Sequence, residues 1–176
     1  MIPRIRPAHL SDIEAVTRLY AQAVREGTAS FEIDPPDAAE MQRRFNSLQT
    51  GGYPYFVAQS GGDIAGHAYA APYRARPGYR WSVEDSVYVA PDYFRRGVGR
   101  ALLAALIEDA QARAFRQMVA VIGDSANTAS VELHRRAGFR MVGRLENIGF
   151  KLGRWLDSVL MQRALGAGAS TLPEGS

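Results

Sequence analysis

Two rhythms of apolar and polar residues alternate along the chain. In "SDIEAVTRLYAQAVREG" and "VGRALLAALIEDAQARA" the apolar positions return every three or four residues, the period of a helix with one buried face. Val98, Leu102, Leu106 and Ala110 make such a stripe, and Glu108, Asp109, Gln111 and Arg113 lie off it, so this helix is expected to pack on a sheet. Ser11 and Glu14 read as a capping box that opens the first helix, and Gly27 closes it. A loop "TASFEIDPP" carrying Phe31 leads to a second helix from about Pro36 to Gln49, with Met41, Phe45 and Leu48 spaced for burial. A fourth helix, in "SANTASVELHRRAGF", begins near Asn127 and ends at Gly138.

The second rhythm is that of strands. Residues 2 to 6 read as a short strand, "YPYFVAQ" and "IAGHAYAAPY" as a hairpin across "SGGD", and "YRWSVEDSVYVA" as a strand rich in aromatic and β-branched residues. "QMVAVIG" is a continuous apolar run suited to a buried strand, and "GFRMVGRLE" and "KLGRWLDSVLMQRAL" are two more, separated by "NIGF". The mixture is of the α/β class, with one domain over residues 1–165 and a tail "GAGASTLPEGS", residues 166–176, of disordered composition. No repeats and no linker interrupt it.

Composition changes this picture little. A chain of 176 residues, 47% hydrophobic and 22% charged, has the material for one sizeable core. No apolar run approaches the roughly 18 residues of a membrane span, and "MIPRIRPAHLSDIEAV" lacks the plan of a signal peptide, so the expected location is the cytoplasm. Zero cysteines exclude disulfides, thiolate metal sites and a cysteine thioester intermediate. The three scattered histidines, His9, His67 and His134, make no metal site.

The net charge of +3 does not point to nucleic acid, because the arginines are interleaved with acids and only Arg95, Arg96 and Arg100 cluster. Those three surround "RRGVGR", between a strand and a helix, which is the plan of an anion cradle: glycines free the backbone, and a helix's first turn offers unpaired N–H groups. It is not the dinucleotide fingerprint, since Leu102 holds the third glycine position, and no Gly-Lys-Ser/Thr of a P-loop follows. An ordinary glycine-containing helix start would look the same.

Three more groupings carry candidate chemistry. Glu84 and Asp85 are adjacent on a strand whose alternation puts Trp81, Val83, Asp85, Val87 and Val89 on one face and Glu84, Ser86 and Tyr88 on the other, so one acid is buried or lines a cleft unless a bulge or edge lets both reach solvent. A buried carboxyl with a raised pKa suits a general base. Asn127, Val131 and His134, at i, i+4 and i+7, are expected to share one helix face toward the cleft. Arg74 and Arg76, two apart on an extended segment, point the same way, an arrangement able to grip a carboxylate or merely to stand in a solvated loop.

"RRGVGRALL" followed some thirty residues later by "NTASVELHRRAGF" resembles the acetyl-CoA signature of the GNAT N-acetyltransferase superfamily. "SVEDS" and "GFKLGRWLD" resemble segments of its phosphinothricin and methionine sulfoximine acetyltransferase branch, and the likeness extends from about Ile5 to Leu165. It implies a single-domain fold with a central twisted mixed, mostly antiparallel sheet of about seven strands flanked by about four helices. Implied with it are acetyl-CoA as co-substrate, no metal, and direct acetyl transfer to the α-amino group of a small glutamate-like or methionine-derived compound, as in herbicide resistance or detoxification. A homodimer without nucleic-acid or membrane partners completes the implied picture.

By the same resemblance Arg95, Arg96, Gly97, Val98, Gly99 and Arg100 hold the coenzyme pyrophosphate, Val87, Tyr88 and Val89 pair with the pantetheine arm, and Asn127 is a coenzyme contact. Glu84 takes the place of the catalytic acid, His134 that of the residue that reprotonates the thiolate, and Phe31, Arg74, Ala75, Arg76, Glu84, Asp85 and Ser86 those of the substrate contacts. One departure is Phe94, where the family pattern has Gln or Arg. Acetylation of another amine such as a protein N-terminus, or a non-catalytic acyl-CoA sensor, are the rival readings.

Overall fold

The computed structural model describes residues 3–173 and begins with a strand tied to a helix by one carboxylate. Asp12 accepts from Arg6 Nη1 and Nη2 at 2.7 and 2.8 Å and from the His9 backbone N–H at 2.8 Å, joining β1 (Arg4–Pro7) to α1 (Ile13–Glu26). The sequence pattern assigned this corner to Ser11 and Glu14. Instead Ser11 lies within a 3-10 turn, Leu10–Asp12, and Glu14 pairs with Arg18 on the exposed helix face. A carboxylate can satisfy a guanidinium fork and a backbone amide together, which a serine hydroxyl cannot.

The second helix, α2 (Ala38–Thr50), starts two residues after Pro36, at a cap where Asp37 accepts from the Glu40 N–H at 2.8 Å. After it come β2 (Tyr55–Ser60), β3 (Asp63–Pro72), β4 (Ser82–Val89), α3 (Val98–Ala112), β5 (Gln117–Gly123), α4 (Thr128–Arg136), β6 (Arg140–Lys151) and β7 (Arg154–Ala164). The seven strands form one sheet in the order β1-β2-β3-β4-β5-β7-β6, in which β4 and β5 are parallel and every other pair antiparallel. Joining parallel neighbours takes a crossover, and α3 supplies it.

Each face of the sheet has its own core. Leu102, Leu103 and Leu106 of α3 are fully buried against Ala58, Ala65, Ala68 and Ala70, whose small side chains let the helix come close. On the other face Val16, Tyr20 and Val24 of α1 and Phe45 of α2 cover Tyr55 and Val57. His67 lies fully buried in that second layer, stacked on Tyr55 and Tyr88 at ring distances of 5.8 and 5.2 Å, with Tyr55 Oη 3.1 Å from its Nδ1. Burial holds its pKa down at about 3, so it is a neutral packing residue.

The expected break at "NIGF" is not a chain reversal. Strand β6 runs through it with a bulge between Leu145 and Gly149, where Asn147 takes a left-handed φ of 52° and its N–H donates to Asp157 Oδ1 at 3.0 Å. The reversal comes at Leu152 and Gly153, both at positive φ, between the paired residues Lys151 and Arg154. Asparagine's tolerance of the left-handed region serves a bulge as readily as a turn, so the two look alike in sequence. Of the segment read as a tail, residues 174–176 lie outside the described residues, and Arg116 donates to the carbonyls of Gly168 and Leu172 and to Thr171 Oγ1.

Candidate active site

The parallel pairing of β4 and β5 stops halfway. It runs from Ser82 opposite Gln117 to Asp85 opposite Ala120, after which Ser86–Val89 and residues 121–123 have no partners across the gap. Strand β4 remains paired with β3 as far as Val89, and β5 with β7 as far as Gly123, so the gap lies inside the sheet. A cavity with about 50 Å³ of free space lies there, lined by Asp85, Ser86, Val87 and Tyr88 on one side and by Asn127 and His134 on the other, with Ala29, Ser130 and residues 120–123 around it. Six of the residues singled out from the sequence therefore meet at one place.

The two acids of β4 face opposite ways. Asp85 is the buried one, on the side of α4, where its Oδ2 lies 2.9 Å from His134 Nε2. His134 Nδ1 lies 2.7 Å from the Ser130 carbonyl one turn back. Burial disfavours a charged ring, but the Asp85 hydrogen bond and charge, with the Ser130 carbonyl, outweigh it and raise the His134 pKa above its ordinary value. Glu84 is half-buried on the opposite face. Burial first, and then the charge of Asp85, raise its carboxyl above the usual range, while Arg74 pulls it back.

Helix α4 is rotated from the expected face. Asn127 caps it, accepting from the Ser130 N–H at 3.2 Å, and Asn127, Ser130 and His134 line the cavity, whereas Val131 turns into a separate hollow of about 400 Å³ beside Met141 and Val159. With the i, i+3, i+7 set facing inward, Ser130 replaces Val131. The available signal was an uncharged polar stripe, Asn127, Ser130 and His134, distinct from the charged side with Glu132, Arg135 and Arg136.

At the mouth of the gap a 3-10 turn, Pro91–Tyr93, leads into the start of α3. Gly97 caps that helix at φ 81°, a left-handed conformation that side chains resist, and Arg95 precedes it at φ 60°. Val98 is buried and anchors the helix, Gly99 packs beside Leu133 and Val89, and Arg95, Arg96 and Arg100 are exposed. No carboxylate among the described residues pairs with these three guanidiniums; Arg96 stacks over Tyr93 at 5.6 Å. The turn thus presents free cations and first-turn amides to an anion. Phe94, 57% exposed, offers it no hydrogen bond.

The loop between α1 and α2 closes over the other end. Phe31 rests on β6 and β5: a methyl group at Gly149 would come 2.5 Å from its ring, and one at Gly123 would meet the Thr28 carbonyl at 2.4 Å. Glycine is needed at both places because loop and sheet touch. Thr28 donates to Asp124 Oδ2 at 3.0 Å, and the buried Lys151 donates to the Ser30 carbonyl at 2.7 Å, tying the loop to the ends of β5 and β6. Sequence reasoning passed over Lys151, although a single lysine inside an arginine-rich chain was a signal.

The arginine pair is less organised. Arg74, Ala75 and Arg76 lie on an exposed stretch after β3; Arg74 stacks over Tyr73 at 5.1 Å and its charge is felt at Glu84, while Arg76 leads into a 3-10 turn, Pro77–Tyr79. Among the described residues no group of three or more His, Cys, Asp or Glu side chains could hold a metal ion, and no helix is long and apolar enough to cross a membrane.

Residues 5–160 match the model of the acetyltransferase (GNAT) domain. A phosphinothricin N-acetyltransferase of Alcaligenes faecalis is 51% identical over 170 residues, covering 97% of this chain and 86% of its own length. An L-methionine sulfoximine/L-methionine sulfone acetyltransferase of Pseudomonas aeruginosa is 41% identical over 163 residues, covering 92% of this chain and 94% of its own. The crystal structure of a GNAT phosphinothricin acetyltransferase from Sinorhizobium meliloti, solved with acetyl-CoA, superimposes with a TM-score of 0.96 at 44% identity over 99% of this chain and 95% of that one. With its split sheet, its glycine-arginine turn and this degree of likeness over nearly its whole length, the chain belongs to the GNAT acetyltransferase family.

Proposed function

We propose that this chain is an N-acetyltransferase that moves the acetyl group of acetyl-CoA to the α-amino group of a small amino-acid-like compound of the phosphinothricin, methionine sulfoximine or methionine sulfone type. The observation that carries the reading is the gap between β4 and β5, which opens at Asp85 and Ala120 and has the glycine-arginine turn at its mouth. The free backbone edge of Val87, Tyr88 and Val89 suits an extended amide-bearing arm laid in like an added strand. Amides and guanidiniums from Arg95 to Arg100 suit a pyrophosphate. Bound there, the coenzyme supplies an acyl thioester, already activated for attack.

The protein's part is to deliver the amine and manage protons. An ammonium has no lone pair, so a base must remove a proton, and the raised pKa of Glu84 supports it in that role. His134 holds a proton on the opposite face of β4, for the sulfur that leaves. In this reading Arg74 and Arg76, with Ala75, recognise a free carboxylate, Asp85 and Ser86 serve the reacting end, and Phe31 covers the substrate side chain; the exposure of the two guanidiniums and the seat of Phe31 on Gly149 and Gly123 support it. Without cysteine no cysteine-linked acetyl intermediate can form, and direct attack in a ternary complex is the economical mechanism.

The functional unit in this reading is a homodimer. Met141, Val142, Leu145, Ile148, Phe150 and Trp155 on the edge hairpin of β6 and β7 are between 46% and 62% exposed, a stripe that a second copy would cover. The proposed location is the cytoplasm, where acetyl-CoA and free amino acids meet, and herbicide resistance would be one consequence of the activity.

Thiol release from acetyl-CoA, measured with phosphinothricin, methionine sulfoximine, methionine sulfone, common amino acids, a short peptide and an aminoglycoside, tests the proposal. Saturable turnover on the first three, abolished in Glu84→Gln, supports it. Turnover confined to the peptide or aminoglycoside removes the substrate class, and coenzyme binding without turnover on any amine removes the enzyme.

A further inference from the structure

The cavity at the apex of the gap is lined by a carboxylate with one of its two oxygens unpartnered. Asp85 Oδ2 meets His134 Nε2 at 2.9 Å, whereas Oδ1 has no partner, on a side chain only 1% exposed. The ring between these groups has acceptors at both nitrogens. Ser130's backbone oxygen, 2.7 Å from Nδ1, can only accept, so Nδ1 carries a hydrogen, and the contact between Nε2 and Oδ2 requires a second. The pair therefore holds one proton more than a neutral ring beside an ionised carboxylate.

Building on the acetyl-transfer reading, we infer that Asp85 is a positioning residue that keeps the His134 ring doubly protonated at the apex of the gap, so that the protein itself stores the proton the departing sulfur takes up. The proton count closes. An ammonium loses two protons in becoming an amide; the sulfur gains one as its bond to the acyl carbon breaks, and one goes to solvent. The proton held between Nε2 and Asp85 Oδ2 is the one the sulfur takes up, while Nδ1 keeps its hydrogen on Ser130, and the pair is reloaded by one of the two that the amine releases. Asp85 lines the same cavity, and its unpartnered Oδ1 is left as an acceptor.

The surroundings leave Asp85 in charge of the ring. On α4 the neighbours Asn127 and Ser130 are uncharged, Phe139 packs edge-on at 5.0 Å, and residues 120–123 of β5 carry no charge. Across β4, Asp85 is paired with Ala70 of β3; Tyr88 borders the cavity with its own pKa pushed up by burial, and Glu84 lies on the opposite face. His134 would be a lone buried histidine without the carboxylate, and burial alone would strip its second proton.

Nitrogen-15 NMR of the histidine ring nitrogens decides this on the protein without coenzyme, with His134 assigned by the signals lost in His134→Gln. At about pH 7.5 both His134 nitrogens are expected to be protonated in the unmodified chain, and one of them in Asp85→Asn. In thiol release the same variant should lose about tenfold in kcat on the alkaline side, its falling limb moved about one pH unit lower, with KM for acetyl-CoA changed less than about threefold. Asp85→Glu, which keeps the charge, should restore part of the limb. A neutral His134 ring in the unmodified chain overturns the inference, and so does a doubly protonated ring that persists in Asp85→Asn. The NMR result on the unmodified chain stands even where that variant fails to fold. Absence of turnover on every amine would refute the enzyme reading and leave the protonation result to be judged by itself.

Discussion

The Lys151 ammonium donates to the Ser30 carbonyl at 2.7 Å, joining the end of β6 to a loop 121 residues earlier. Burial lowers the pKa of this lysine, opposed by the charge of Glu32, so its placement carries a cost that the hydrogen bond has to offset. Lys151→Met keeps the stem and leaves a buried carbonyl without a donor, which should cost about 1–3 kcal/mol. Thermal unfolding is expected to come several degrees earlier, and KM for the amine should rise more than kcat falls, because Phe31 sits on the loop that Lys151 holds. An unchanged amine KM would show that the loop does not cover the substrate.

Glu84 should make the protein less stable while making it active. Its folded-state pKa is raised, so as pH climbs from the unfolded value through the folded one the unfolded chain ionises first and stability falls. Glu84→Gln removes that loss, and at neutral pH it should raise Tm by about 2 °C while cutting kcat at least about a hundredfold. A lower Tm in the glutamine variant would contradict the buried-base account.

Arg74 and Asp85 pull the same titration in opposite directions. Arg74→Ala removes the charge that lowers the Glu84 pKa, so the acidic limb of kcat/KM should move to higher pH; Asp85→Asn removes a charge that raises it, and that limb should move to lower pH. Rate profiles between about pH 5 and 9 would read both shifts. Equal movement in one direction would exclude Glu84 as the titrating group.

At the glycine-arginine turn, Arg95→Ala and Arg100→Ala should each raise KM for acetyl-CoA about fivefold, the effect shrinking as salt is added. Gly97→Val should do more, since φ 81° is strained for a branched side chain and the cap itself would shift. Phe94→Gln, which supplies the missing side-chain donor, should lower KM. Isothermal titration with coenzyme A separates these binding effects from turnover.

Charges placed on the edge hairpin should separate the proposed dimer. In Ile148→Glu combined with Phe150→Glu, two residues that are 58% and 57% exposed acquire charge at no cost to the core. Sedimentation velocity is expected to show a dimer for the unmodified chain and a monomer for the double variant. A monomer in both would remove the dimer from the proposal.

The helices and strands were legible because each buries one face: Val98, Leu102, Leu106 and Ala110 are at most 2% exposed, as their spacing required. The glycine-arginine turn and the adjacent acids could be read for the same reason, since backbone freedom, charge clusters and strand alternation are local properties. What escaped depended on distance in three dimensions. Nothing near Asp85 in the sequence points to His134, 49 residues on, and the rotation of α4 that chose Ser130 over Val131 is decided by what packs behind the helix. The "NIGF" segment failed differently, because asparagine's left-handed φ serves a bulge and a turn alike.

Among the described residues four strand pairs, from Ser82 with Gln117 to Asp85 with Ala120, preceded by the Arg116 N–H on the Trp81 carbonyl, stitch β1–β4 to β5–β7 along the sheet. The molecule is in that sense two leaves on a short seam, tied beyond it by the loop pinned through Thr28 and Lys151. A ligand that hydrogen-bonds to both leaves lengthens the seam, so its binding free energy is added to the cohesion of the whole protein. Those backbone amides of residues 86–89 and 121–123 that point into the gap, and not at β3 or β7, would then exchange with solvent more slowly.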